Sequence, residues 1–165
     1  TTLSDQTYIG AYVPHNLVLM SDIHRLKYAM YLNNDAYEAL KKMIDAMPNE
    51  IANDFYVKEA YTSFTDLQYS NPNLAGKDER QLGHTVSIAS KSIAYQEFET
   101  SALSQWLEAH SYEYGFMLRY PKRMASSTNH VYDAHYYRYV GKKNANKIYK
   151  ENSCIEEYNQ KEAAE

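Results

Sequence analysis

The chain holds a single cysteine, Cys154, so no internal disulfide can form, and cysteine usage neither requires nor excludes export. Glycine and proline are sparse, at 5 and 4 of 165 residues, and there is no Gly-rich phosphate loop, Gly-x-Ser-x-Gly turn, internal repeat, low-complexity block or interdomain linker. Basic residues are outnumbered, 17 Lys and Arg against 21 Asp and Glu, and none cluster among aromatics; nucleic acid is excluded as a partner. No apolar run approaches the roughly 18 residues of a membrane span. No stretch reads as a signal peptide, and the chain opens on Thr1 instead of Met, so a processed form or an excised piece is expected.

What is present suffices for one domain with a real core, since 44% of the 165 residues are hydrophobic. Residues 1–32 read as an irregular N-terminal segment wrapping over a domain of residues 33–165. Asn34 is placed as the N-cap of a helix ending at Met47, with Ala36, Leu40, Met43, Ile44 and Met47 at helical spacing and Pro48 beyond. Residues 55–62 alternate as a strand, and Ser63 with Asp66 opens a short helix towards Gln68. A long loop over 70–83 leads into a strand over 84–90, with Thr85, Ser87 and Ala89 on one face and His84, Val86 and Ile88 on the other.

The clearest helical stripe is Leu103, Trp106, Leu107, His110 and Tyr114, with Gly115 at C′. A strand over 116–120, a polar loop over 122–129, a strand over 136–140 and helical turns over 143–151 and 155–162 follow. The expected fold class is α+β, one small antiparallel sheet packed with helices. His110 reads as a core or boundary histidine, while His15, His24 and His130 read as solvated. The 18 tyrosines are assigned to half-buried strand faces and rims, with a carbohydrate or peptide platform as the alternative.

Four blocks, in order, carry a resemblance that covers roughly residues 33–158. They are Ala60-Tyr61-Thr62-Ser63-Phe64 with Gln68; Gln81 to Lys91, QLGHTVSIASK; Tyr114-Gly115-Phe116-Met117-Leu118-Arg119-Tyr120-Pro121; and Tyr132-Asp133-Ala134-His135-Tyr136-Tyr137-Arg138-Tyr139-Val140-Gly141. Together they resemble the VanY-type D-alanyl-D-alanine carboxypeptidases, zinc peptidases with a Hedgehog-like fold. The second block is similar to the family's Ser-x-His-x-x-Gly-x-Ala-x-Asp, whose His and Asp bind the metal. Laid on His84 and Ala89, that frame puts Ser87 at the Gly and Lys91 at the metal-binding Asp.

The resemblance implies that His84 is the one zinc ligand kept, with Lys91 and Tyr136 at the other two ligand positions. A lysine ammonium has no lone pair to donate. Asp133 corresponds to the catalytic Glu, a degenerate general-base position, and His135 falls where the family has Trp; a one-residue slip bringing His135 into the ligand position is opposed by the register of Arg138 to Gly141. Thr62 stands at the Arg that resembles a clamp for the substrate's carboxylate, and Ser63, Gln68 and Arg138 complete the implied substrate-binding set. Lys91 is left in one of two places, inward and paired with Asp133 or solvated at the strand end.

The expected function is a VanY-like domain of the bacterial cell envelope that has lost catalysis, needs no zinc, and binds or scaffolds a peptidoglycan stem peptide or an envelope protein. It would be extracellular, anchored or secreted in the full-length protein. The alternatives are an active zinc-dependent D-alanyl-D-alanine or related peptidoglycan carboxypeptidase, and a protein-interaction domain with a vestigial cleft.

Overall fold

The structure, a computed structural model, describes residues 7–164. Residues 1–6 of the expected wrapping segment lie outside the described residues. The remainder of that segment is not wholly irregular. β1 (Leu17–Leu19) and β2 (Tyr31–Asn33) pair antiparallel, Leu17 against Asn33 and Leu19 against Tyr31, and Met20, Ile23, Met30 and Leu32 between and beside them are core residues. Three-residue strands are too short to show an alternating signal in sequence.

β2 runs directly into α1 (Asn34–Asp45), whose cap is Asn33 and not Asn34: the Asn33 carboxamide oxygen accepts from the Asp35 and Ala36 N–H groups at 2.9 and 3.3 Å. Pro48 ends the apolar stripe and starts α2 (Asn49–Asp54), which leads straight into β3 (Phe55–Glu59). α3 (Phe64–Ser70) is capped by Ser63, as its spacing to Asp66 predicts. β4 (Thr85–Ser90) follows a 3-10 turn over Glu79–Leu82. α4 (Ala102–His110) continues as a 3-10 turn, Ser111–Tyr114, and Gly115 in the left-handed region turns the chain into β5 (Phe116–Tyr120). α5 (Ala125–Thr128) interrupts the expected polar loop, β6 (Asp133–Tyr139) starts three residues earlier than expected, and α6 (Lys142–Lys150) and α7 (Ile155–Ala164) close the domain.

The main sheet is antiparallel with strand order β3-β4-β6-β5, so the two central strands carry the second and fourth motif blocks and β5, at the edge, carries the third. Its two faces differ in chemistry. Phe55, Val57, Val86, Ile88, Phe116 and Tyr137 point into a core closed by Leu40 and Met43 of α1 and Leu103 and Leu107 of α4. Burial of each such side chain contributes about 1.5–3 kcal/mol. The opposite face carries Glu59, Thr85, Ser87, Tyr136, Arg138 and Arg119, and only its far end is apolar, where Met117 meets Ile148 and Ile155. A polar sheet face covered by a turn and a loop is where this fold builds its cleft.

Candidate functional site

The cleft rests on a buried ionic network. Arg119 and Arg138, neighbouring positions on β5 and β6, both donate to one oxygen of Glu79, at 2.8 and 2.9 Å, and Thr85 donates to the other at 3.3 Å. Arg119 spends its remaining donors on Glu156 of α7, at 3.2 and 2.6 Å. Burial alone would lower the Arg119 pKa, but Glu79 and Glu156 raise it above the ordinary guanidinium value. This network fixes the Glu79–Leu82 turn on the sheet. Gln81 holds it from the other side, donating to the Gly10 and Tyr12 carbonyls and accepting from the Gly76 N–H.

The turn thereby delivers Arg80 over the sheet's polar face. Its guanidinium meets both oxygens of Asp78 and donates through Nη1 to Glu59 at 3.1 Å. Burial opposes its charge, and the Asp78 carboxylate outweighs burial and raises its pKa. Across the strands, Glu59 pairs with Ser87 and Ser87 with Tyr136, which sets three side chains in one row over β3, β4 and β6. Because serine is short, the Tyr136 hydroxyl passes over it and donates to Glu59. Burial, then the Glu59 hydrogen bond, push the Tyr136 phenol far above its ordinary value. Ser87 itself is fully buried beside the Tyr95 phenol, without a hydrogen bond of good geometry. In front of this row opens a cavity of about 520 Å³, whose lining includes Arg80, Tyr120, His130, Tyr132, Asp133 and Tyr136.

Several expected site residues are elsewhere. Thr85 and Ser87 share the cleft face, so His84, one residue before Thr85, faces the other side; the Tyr139 N–H to His84 carbonyl bond carries the ladder to that point. Burial, with the nearby Arg138 charge, lowers the His84 pKa. The expectation that His84 and Tyr136 stand at two ligand positions of one former metal pocket places them together, whereas strand alternation turns them to opposite faces of the sheet. Lys91 lies past the end of β4, exposed, with its ammonium on the Asn53 carbonyl at 2.8 Å; the inward pairing with Asp133 does not form. Asp133 does line the cleft, with one oxygen accepting the His135 N–H at 2.9 Å.

His135 is buried with its two ring nitrogens on the Ile88 and Tyr95 carbonyls, 2.7 and 2.9 Å, and neither reaches the cleft. His110, expected at the core boundary, is half-exposed beside Glu113 at 3.0 Å. Thr62 donates to the Ala60 carbonyl, Ser63 caps α3, Gln68 is exposed on α3, and Arg138 is buried against Glu79; none of the four lines the cavity.

The residues missed are Glu59, Asp78, Glu79 and Arg80, and the signal for them was Gly83. Its φ of 75° is the left-handed conformation that favours glycine, and an added Cβ there would stand 2.9 Å from Leu17. With its glycine on Gly83, the motif frame runs from Asp78 to Ser87, through residues that the structure brings together beside Tyr136. This donor set does not fit a dication. Among the described residues, no three His, Cys, Asp or Glu side chains converge, and the hydrogen-bond partners of Glu59 and Tyr136 are each other and the Arg80 guanidinium.

Comparison with known proteins agrees with the fold. Residues 56–142 match the family model described as VanY, D-alanyl-D-alanine carboxypeptidase. The chain belongs to this family. It is 28% identical over 173 residues to the putative carboxypeptidase YodJ of Bacillus subtilis, covering 92% of this chain and 63% of that protein. To a D-alanyl-D-alanine carboxypeptidase of Enterococcus faecalis it is 33% identical over 124 residues, covering 74% and 44%. The chain therefore spans less than two thirds of the length of these relatives. Among solved structures, the LdcB LD-carboxypeptidase superposes with a TM-score of 0.85 at 26% identity, over 96% of this chain and 84% of that one. VanYB in complex with D-Alanine-D-Alanine superposes at 0.75 and 24% identity, over 97% and 96%.

Proposed function

We propose that this domain is a catalytically degenerate member of the VanY family, which holds peptidoglycan stem peptides in its cleft without hydrolysing them and acts at the cell envelope, outside the membrane. One observation carries the reading: Arg80, Glu59 and Tyr136 satisfy one another in the middle of the cleft. Counted from Gly83, Arg80 stands at the family's metal-binding His, Ser87 at its metal-binding Asp, Tyr136 at its last His and Asp133 at its catalytic Glu. A catalytic zinc site needs three donors and an open position for water. Here none of the four positions keeps the family residue.

The ligand class follows from the relatives, one of which is a peptidoglycan-recognising LD-carboxypeptidase and another a complex with D-Alanine-D-Alanine. The test is elemental analysis after dialysis against zinc, alongside an assay for terminal alanine release. The expected result is no zinc beyond that of surface histidines and no alanine. Stoichiometric zinc with chelator-sensitive release would overturn the reading in favour of an active carboxypeptidase.

A further inference from the structure

We infer that residues 8–12 are a detachable strap that latches the outer wall of the cleft, residues 72–77, and so regulates entry to it; this rests on the reading of the cleft as a binding site given above. The two ends of the loop that lines the cleft are held differently. At Glu79 the chain is tied to the sheet by the buried pairs with Arg119 and Arg138. Residues 72–77, which supply Asn73, Leu74 and Lys77 to the cavity lining, put no side chain into the hydrophobic core. Among the described residues, their hydrogen bonds reach beyond the loop's own turns only at Gly76, whose carbonyl accepts from the Ile9 N–H at 2.7 Å and whose N–H donates to the Gln81 side-chain oxygen at 3.1 Å. The Gln81 amide nitrogen in turn donates to the Gly10 and Tyr12 carbonyls at 2.7 and 3.1 Å. The Tyr8 ring covers Gly76 so closely that a Cβ there would collide with it.

The strap itself is lightly held. Tyr8, Tyr12 and Val13 are 64%, 45% and 57% exposed, none of residues 8–13 belongs to the core, and the first buried residue behind them is Pro14. Segments with few apolar contacts open locally at a small fraction of the cost of global unfolding. Gln81 makes the strap and the wall move together. It is fully buried, and departure of the strap would strand its two amide protons without acceptors unless the wall shifts and admits water. Release of the strap therefore loosens residues 72–77, while the sheet side of the cleft stays fixed through Glu79.

The experiment is amide hydrogen exchange on the whole chain, comparing the parent with Tyr8→Ala and Ile9→Pro, which withdraw the ring and the N–H donor without touching the cleft. The amides of residues 74–78 should exchange about five- to tenfold faster in either variant, the worth of one neutral hydrogen bond, while those of Val86 and Ile88 in β4 keep their parental rates. A stem-peptide analogue ending in D-alanyl-D-alanine should associate faster with both variants. Unchanged exchange over residues 74–78 would overturn the inference, as would a rise shared equally by β4, which would make the strap a support for the whole domain. Faster exchange without faster association would also overturn it, because the wall would then not gate the cleft. An analogue that binds none of the three proteins would instead remove the stem-peptide reading, and exchange alone would then decide whether the strap latches the wall.

Discussion

A guanidinium and a zinc ion make opposite demands on the groups around them. Zinc takes lone pairs, whereas Arg80 offers only protons and so draws Asp78 and Glu59 into roles as acceptors. Changing one residue back would therefore leave the rest of the network arranged for a cation that donates. We expect zinc binding to need Arg80→His, Ser87→Asp and Tyr136→His together, and Asp133→Glu to be required in addition for any alanine release, since hydrolysis needs a base on the metal-bound water. Elemental analysis checks this. A variant that replaces Lys91→Asp in place of Ser87→Asp should stay metal-free, because Lys91 is exposed beyond β4 on Asn53; zinc in that variant would restore the His84 frame.

Between elements, the buried ion network and one glycine do most of the joining. Arg119 is fully buried on β5 and links the Glu79 turn to Glu156 on α7. Arg119→Met leaves the buried Glu79 and the partly buried Glu156 each short of a partner, and we expect a loss of about 3–5 kcal/mol in urea unfolding; a loss under about 1 kcal/mol would mean that water reaches the network. Gly115 joins the α4 end to β5 with a φ of 90°, and a Cβ there would stand 3.1 Å from the backbone of Gly141 and Lys142. Gly115→Ala should cost about 1–3 kcal/mol by the same measurement, from strain plus the close approach.

This strand-and-helix framework was largely legible in the sequence. The stripe from Leu103 to Leu107, the Ser63 cap and the β5 block all describe neighbours close in the chain, and local periodicity reports on such neighbours. The cleft was less legible. Glu59, Arg80 and Tyr136 meet only through cross-strand register, and a frame aligned on His84 and Ala89 passes over its conformationally demanding position, the glycine. Ala89 is a small residue that many positions tolerate; the left-handed backbone at Gly83 is not. The frame fixed by Gly83 is the one that puts Arg80 and Ser87 beside Tyr136.

At the scale of the whole molecule, buried tyrosines tie stability to alkaline pH. Tyr136 and Tyr137 are raised above the ordinary phenol value, burial being the first cause for both, and Tyr132 likewise, with Glu108 as its hydrogen-bond partner. A phenol whose folded pKa is raised binds its proton more tightly in the native state. Its contribution is fully present below the unfolded value near 10 and is lost as pH rises beyond it. Unfolding free energy should therefore decline above about pH 10. The Lys41 ion pair with Glu38, whose hydrogen bond raises the Lys41 pKa, also weakens at alkaline pH, so the parent curve alone does not isolate the tyrosines. Tyr136→Phe does. It removes one titrating group while Arg80 still holds Glu59, so the variant's stability should fall less steeply with pH than the parent's, even if it starts lower near neutrality. Parallel urea titrations between about pH 8 and 11 decide it, and identical slopes would mean that the Tyr136 hydroxyl ionises in the cleft as freely as in water.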